Sequence, residues 1–184
     1  MTATLLMLPP QTSTTREWAK RLAAAQPDLS VIVAENEADA AGAIARADAA
    51  FGTVSPTLLR AASNLRWIQA PQAAPPAGWY YPELIAHPAV VTNFREIFND
   101  HIGAHIMAFI LAFARGLHRY LPQQLNREWR PAPLDTEVIH LPEATALIVG
   151  VGGIGAETAR LAAAFGMRVL GVDSRRQVAP PGVA

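Results

Sequence analysis

The residues most able to do chemistry lie near the C-terminal end, in the run Gly150-Val151-Gly152-Gly153-Ile154-Gly155. An apolar stretch, Ala146-Leu147-Ile148-Val149, precedes it and a helix-like stretch, Ala156 to Phe165, follows. A second apolar run, Arg168-Val169-Leu170-Gly171-Val172, then ends on Asp173. Strand, glycine turn, helix, strand and terminal carboxylate is the order and spacing of a dinucleotide-binding unit. Gly150 permits the tight turn out of the strand, Gly152 lets backbone approach a pyrophosphate, and Gly155 lets the helix pack against the strand. The amides of Gly153, Ile154 and Gly155 open the helix and supply an anion site. Asp173 falls where a carboxylate accepts hydrogen bonds from the adenosine ribose hydroxyls, with Ser174 and Arg175 beside it. Arg175 and Arg176 admit two readings, partners for the 2′-phosphate of NADP or solvated charges. A carboxylate repels such a phosphate, which favours NAD over NADP.

The other titratable groups carry less. His101 and His105 share a helix face next to Asp100, a spacing open to three readings: metal ligands, polar groups in a cleft, or ordinary surface residues. No third metal ligand follows from the sequence, so no metal site is assigned. His118 and Arg119 read as cations at the C-terminal end of a long helix, favoured by its dipole. Trp79-Tyr80-Tyr81 reads as a loop packed on its domain or as an aromatic rim to a binding cleft.

The elements that position these residues follow from the apolar pattern. Thr4–Leu8, Val31–Ala34, Ala49–Gly52, Arg66–Gln69 and Ala89–Thr92 read as strands. Helices lie between them: one capped by Ser13 or Thr14 and ending before Pro27, Ala38–Arg46, and Ser55–Ala62 with Pro56 at its start. Apolar strands separated by helices predict a parallel sheet covered on both faces. The fold class is therefore α/β: a flavodoxin-like N-terminal domain over residues 1–99, followed by the start of a Rossmann dinucleotide-binding domain over 144–184. Between them, residues 100–143 form a long helix from Asp100 to Tyr120, a further helix over Leu121–Glu128, and a proline-rich arm, Arg130 to Pro142, with Val138-Ile139-His140 locally extended.

Composition sets the outer bounds. Apolar residues make up 51% of the 184 and charged residues 16%, enough to bury a core and too apolar for disorder. Fifteen basic and fifteen acidic residues cancel, which gives no electrostatic case for nucleic acid or an anionic membrane. There is no cysteine, so disulfides, thiolate metal sites and cysteine nucleophiles are excluded. The N-terminus lacks a basic region before its apolar run, and Ile102–Ala114 is too short to span a bilayer. A cytoplasmic protein is expected.

Taken together, these stretches resemble the D-isomer-specific 2-hydroxyacid dehydrogenases. The resemblance rests on Leu65-Arg66-Trp67-Ile68-Gln69 before a small-residue loop, Val91-Thr92-Asn93-Phe94-Arg95 before the long helix, that helix's end at Ala112-Phe113-Ala114-Arg115-Gly116, Arg127-Glu128-Trp129 in the arm, and the glycine turn with Asp173. It implies a substrate domain, a nucleotide domain inserted into it, and hydride transfer between NAD(H) and a small 2-hydroxy or 2-oxo acid. It also implies a homodimer paired through the long helix and the arm. The family's loop that binds the substrate carboxylate through backbone amides corresponds to Gln72-Ala73-Ala74-Pro75. Pro75 has no amide hydrogen, so Ala73 and Ala74 are the substrate-binding candidates. Glu96 stands where the family commonly has glycine. The family's catalytic Arg, Glu and His all lie beyond Ala184, so no residue here is assigned as catalytic. The chain reads as the first part of a longer enzyme, and by itself is expected to be inactive. The alternative reading is a non-catalytic, NAD-responsive binding protein on the same scaffold, as corepressor relatives of the family are.

Overall fold

Five short apolar runs pair into one sheet because each is bounded by residues that stop it and separated by a segment long enough to cross back. In the computed structural model, which describes residues 2–131 and 138–183, these are β1 (Ala3–Met7), β2 (Leu29–Val33), β3 (Ala49–Phe51), β4 (Trp67–Gln69) and β5 (Val90–Thr92). All pairs are parallel and the strand order is β2-β1-β3-β4-β5, the flavodoxin-like order. The register aligns Leu5 with Ala49, Ala49 with Trp67 and Trp67 with Val90. The chain divides into two compact units, Met1–Arg95, which holds this sheet, and Glu96–Ala184.

Right-handed crossovers place α1 (Ser13–Ala25), which leads outward to β2, on one face of the sheet. The same rule puts α2 (Glu37–Ala43) and α3 (Pro56–Ala61), which lead the other way, on the opposite face. Side chains alternate accordingly. Leu6 and Ile68 join Ile44, Val54 and Leu58 in the larger core, while Leu5, Met7 and Phe51 meet Ala19 of α1. The cap of α1 is Thr12, not Ser13 or Thr14 as the sequence reading expected. Its hydroxyl accepts from the Thr15 amide at 3.1 Å, and the Thr15 hydroxyl accepts from the Thr12 amide at 2.8 Å. Only the pair spaced three apart can satisfy both amides reciprocally, which decides among neighbouring hydroxyl residues. A short helix, α4 (Pro82–Ala86), was not foreseen; Pro82 sets its first turn and Leu84 anchors it in the core.

The second unit holds α5 (Asn99–Ala114), α6 (Leu117–Leu125), β6 (Thr145–Val149), α7 (Gly153–Ala164) and β7 (Arg168–Val172). The expected single helix from Asp100 to Tyr120 is two. Gly116 adopts φ 68°, a left-handed conformation that ends α5 and turns the chain into α6. His118 and Arg119 consequently lie in the first turn of α6, the end where the dipole disfavours cations, and not at a helix C-terminus. Within the expected arm, Val138–His140 forms no strand, although the Ile139 amide donates to the Ala114 carbonyl at 2.9 Å. Residues 132–137 of that arm lie outside the described residues. Strands β6 and β7 pair in parallel across α7, which packs on α5 through Gly103; a Cβ there would stand 2.9 Å from Cγ of Glu157. Among the described residues no helix is long and apolar enough to cross a membrane.

Candidate functional site

The glycine turn links β6 to α7. The Gly150 amide continues the ladder by donating to the Val172 carbonyl at 2.7 Å, and its φ of 90° then turns the chain out of the strand. Gly152 caps α7 in an extended conformation, and a Cβ on it would meet nothing within 4 Å. Gly153 and Ile154 open the helix. The first intrahelical bond runs from the Ala156 amide to the Gly152 carbonyl at 2.8 Å, so the amides of Gly153, Ile154 and Gly155 precede any i→i−4 acceptor. Gly155 packs directly on the Gly150 carbonyl and leaves no room for a side chain. Open space outside Gly152, in front of a helix N-terminus with donor amides, is the geometry a pyrophosphate requires.

Asp173 follows β7 immediately and its carboxylate is held by three backbone amides. Val151 donates to Oδ2 at 2.7 Å, and Arg175 and Arg176 donate to Oδ1 at 2.8 and 2.9 Å. The amides of Arg175 and Arg176, then that of Val151, hold the carboxyl below its ordinary pKa against a small opposing effect of burial. It is charged at neutral pH and remains half-exposed, as an acceptor for sugar hydroxyls must be. The glycine turn and Asp173, far apart in sequence, are thus brought together. The residues fit a dinucleotide. Ser174 and Arg175 are exposed in the turn after β7, with Arg176 next to them.

Two neighbours of this site escaped the sequence reading. Val151 is buried at 3% exposure, and its side chain lies over Gly171, where a Cβ would come within 2.8 Å of Val151 Cγ2. A lone glycine in an apolar strand signals such close approach, so Gly171 was the available clue. The Asn99 carboxamide lies against Gly153, its Nδ2 2.5 Å from where a Cβ would be. No local pattern announces that contact.

The remaining candidates are placed as follows. Ala73 and Ala74 belong to the first unit, in the bends after β4, at the C-terminal edge of the sheet where open α/β sheets bind ligands. Close by, Trp79 is buried and its indole N–H donates to the Thr53 hydroxyl at 3.2 Å, while the Tyr81 hydroxyl donates to the Val54 carbonyl at 2.9 Å. Those two aromatics fasten the loop to its domain; Tyr80 is exposed. His101 and His105 are exposed on α5, and His105 stacks edge-on with Phe109 at 4.8 Å. Among the described residues no group of three or more metal-ligating side chains assembles. Glu96 has φ 72°, the backbone conformation that glycine adopts without strain.

Residues 107–182 match the family described as D-isomer specific 2-hydroxyacid dehydrogenase, NAD binding domain. No curated protein matches the chain by sequence. Among solved structures, a D-isomer specific 2-hydroxyacid dehydrogenase family protein from Aeromonas salmonicida is 29% identical, with a TM-score of 0.76 over 100% of this chain and 58% of that one. A D-lactate dehydrogenase from Treponema pallidum matches over 96% of this chain and 54% of its own, at 17% identity and TM-score 0.75. The D-lactate dehydrogenase from Aquifex aeolicus, solved with NAD and lactic acid, matches over 95% and 52%, at 19% identity and TM-score 0.71. The chain therefore spans somewhat more than half the length of these structures. With a flavodoxin-like sheet, a glycine turn of the required geometry and a carboxylate closing the second strand, it is similar to the D-isomer specific 2-hydroxyacid dehydrogenase family, whose NAD-binding domain its residues 107–182 match.

Proposed function

We propose that this chain contributes the substrate domain and the adenosine-binding part of an oxidoreductase that moves a hydride between NAD(H) and a small 2-hydroxy or 2-oxo acid. The observation that carries this reading is the charged Asp173 carboxylate, tied to the glycine turn through the Val151 amide at 2.7 Å. In this reading Gly150, Gly152, Gly153, Ile154 and Gly155 receive the pyrophosphate, and Asp173, Ser174 and Arg175 the adenosine ribose. The backbone of Ala73 and Ala74 anchors the substrate carboxylate. Hydride transfer is the chemistry the nicotinamide supplies; this chain's residues bind and orient. Proton transfer is assigned to none of them.

Asp173 also favours NAD over NADP, because a fixed carboxylate opposes a 2′-phosphate. Calorimetric titration of the protein with each dinucleotide tests both statements. Tighter binding of NAD is expected. Tighter binding of NADP would overturn the specificity, and no binding of either would overturn the cofactor reading.

A homodimer belongs to the same proposal. Phe109 and Phe113 on α5 and Leu121 on α6 are each more than half exposed, an apolar surface of the kind that subunits bury. Sedimentation at micromolar concentration should show a dimer, and a persistent monomer would count against it. The cytoplasmic setting expected from the sequence is proposed with it.

A further inference from the structure

Asn99 opens α5 without capping it. Phe98 holds the cap position, and no side chain caps the first turn. The common reason for an asparagine at a helix start is therefore missing here. Its carboxamide is partly buried and, among the described residues, makes no hydrogen bond. It lies instead against Gly153, where a Cβ would come 2.5 Å from Nδ2, 2.8 Å from Oδ1 and 2.9 Å from Cγ of Asn99. The carboxamide thus occupies the volume that a side chain at position 153 would fill.

The packing of two helices keeps it there. The contact between α5 and α7 recurs one turn along, from Gly103 to Glu157, four residues further in each helix. Deeper still, Met107 shares a core with Ala159 and Ala162. The first turn of α5 is therefore fastened beside the first turn of α7. A Cβ is one covalent bond from the backbone, so the carboxamide also sits in the layer of atoms nearest the Gly153 amide. That amide is the first of those in α7 that precede any intrahelical acceptor.

On the cofactor reading above, we propose that Asn99 is a further dinucleotide-binding residue: reaching over from α5, it supplies the N–H donor that position 153 lacks to the pyrophosphate received by the glycine turn. A carboxamide can present either end, and an anion selects the N–H₂ end. The assignment also accounts for the fourth glycine of the run. The turn itself needs Gly150, Gly152 and Gly155; Gly153 is small because Asn99 uses its space. Neutrality suits the place as well. Asp100 is the next residue and Glu157 lies one turn along α7, so an acid at position 99 would add a third negative charge beside a bound anion.

NMR titration of the wild type, Asn99→Ala and Asn99→Asp with NAD, ADP and adenosine tests this. Adenosine lacks the phosphates and is the control. Asn99→Ala should weaken NAD and ADP by about tenfold, the low end for a hydrogen bond to a charged group, and adenosine by less than about twofold. Asn99→Asp should weaken ADP further than Asn99→Ala does and again spare adenosine. Unchanged ADP affinity in Asn99→Ala would overturn the proposal. Equal losses for ADP and adenosine would overturn it too, since Asn99 would then be only a tie between helices. If the wild type binds none of the three, the cofactor reading falls and the role of Asn99 with it; if it binds them and Asn99→Ala binds them equally, only the role of Asn99 falls.

Gly153→Ala reaches the same contact from the other side. Its methyl should displace the carboxamide, the end of a flexible side chain, and weaken ADP by about tenfold alone but by less than about twofold when added to Asn99→Ala. Equal costs in both backgrounds would overturn the exchange of one side chain for the other. Should the variants not fold, the wild type decides. The Asn99 side-chain N–H₂ resonances should shift with ADP and stay in place with adenosine, and any other pattern would overturn the proposal.

Discussion

Gly155 rests against the carbonyl of Gly150. A Cβ on Gly155 would clash with that oxygen, stand 3.1 Å from its carbon and lie 3.3 Å from Cγ2 of Ile148. Backbone carbonyls cannot swing aside as the end of a flexible side chain can. Gly155→Ala should therefore destabilise the protein by about 1–3 kcal/mol despite alanine's better helix propensity. Gly152 is the opposite case, because a Cβ there meets nothing within 4 Å. Gly152→Ala should leave stability within about 1 kcal/mol, a small loss at a helix cap, yet weaken NAD by about tenfold by filling the space the pyrophosphate needs. Urea denaturation and NAD titration of both variants check the pair. A destabilised Gly152→Ala beside a stable Gly155→Ala would reverse the assignment of the two glycines.

Gly116 supplies a test by sign. Were α5 and α6 one continuous helix, Gly116→Ala would stabilise the protein by about 1 kcal/mol, the ordinary gain of alanine over glycine. In the structure Gly116 has φ 68°, and a Cβ would stand 3.1 Å from Cε2 of Tyr120. The substitution should instead destabilise by about 1–2 kcal/mol, the cost of holding an L side chain in the left-handed region. The shift in denaturation midpoint decides between them.

Thr12 makes a third prediction. Removing its hydroxyl by Thr12→Ala uncaps α1 and should cost about 1 kcal/mol. Ser13→Ala, one residue inside the helix, should change stability by less than about 0.5 kcal/mol. Comparable losses at both positions would mean that the cap is shared between them.

These cases show where the sequence was readable. The strands of both units announce themselves because an apolar run needs no partner to be recognised, and Asp173 could be placed because Val172 ends such a run. The α1 cap was not readable to the residue, since Thr12, Ser13, Thr14 and Thr15 are chemically near-equivalent and only the reciprocal bonds of Thr12 with Thr15 separate them. Helix α4 was missed because five residues are too few to show a 3.6 period. The apolar spacing of α5 carries smoothly across Gly116, so its left-handed turn is visible only in φ. At the site, glycine spacing reported the turn but not its fastening. The Val151 amide and the Asn99 carboxamide reach it from elsewhere in the chain, and no local pattern encodes such contacts.

The last prediction concerns acid. Backbone amides donate to Asp173 most strongly when it is ionised, and the structure depresses its pKa below the ordinary 3.8, chiefly through the Arg175 amide. As pH falls, the unfolded chain takes up this proton first, so the carboxylate's contribution to stability is whole at neutral pH. It then declines below about pH 4 and is spent once the folded group is protonated. Asp48, lowered chiefly by the Thr4 amide, and Glu35 and Glu157, lowered chiefly by Arg16 and Arg160, decline in the same sense. A wild-type acid profile alone cannot separate the four. Comparison with Asp173→Asn can, because the other three carboxylates are common to both proteins and cancel. Urea midpoints measured from pH 7 down to pH 3 should place the variant below the wild type at neutral pH, with the gap closing as the pH drops. Parallel profiles would show that the Asp173 carboxylate has the same proton affinity folded and unfolded, and the three amide bonds would then contribute nothing specific to its charged form.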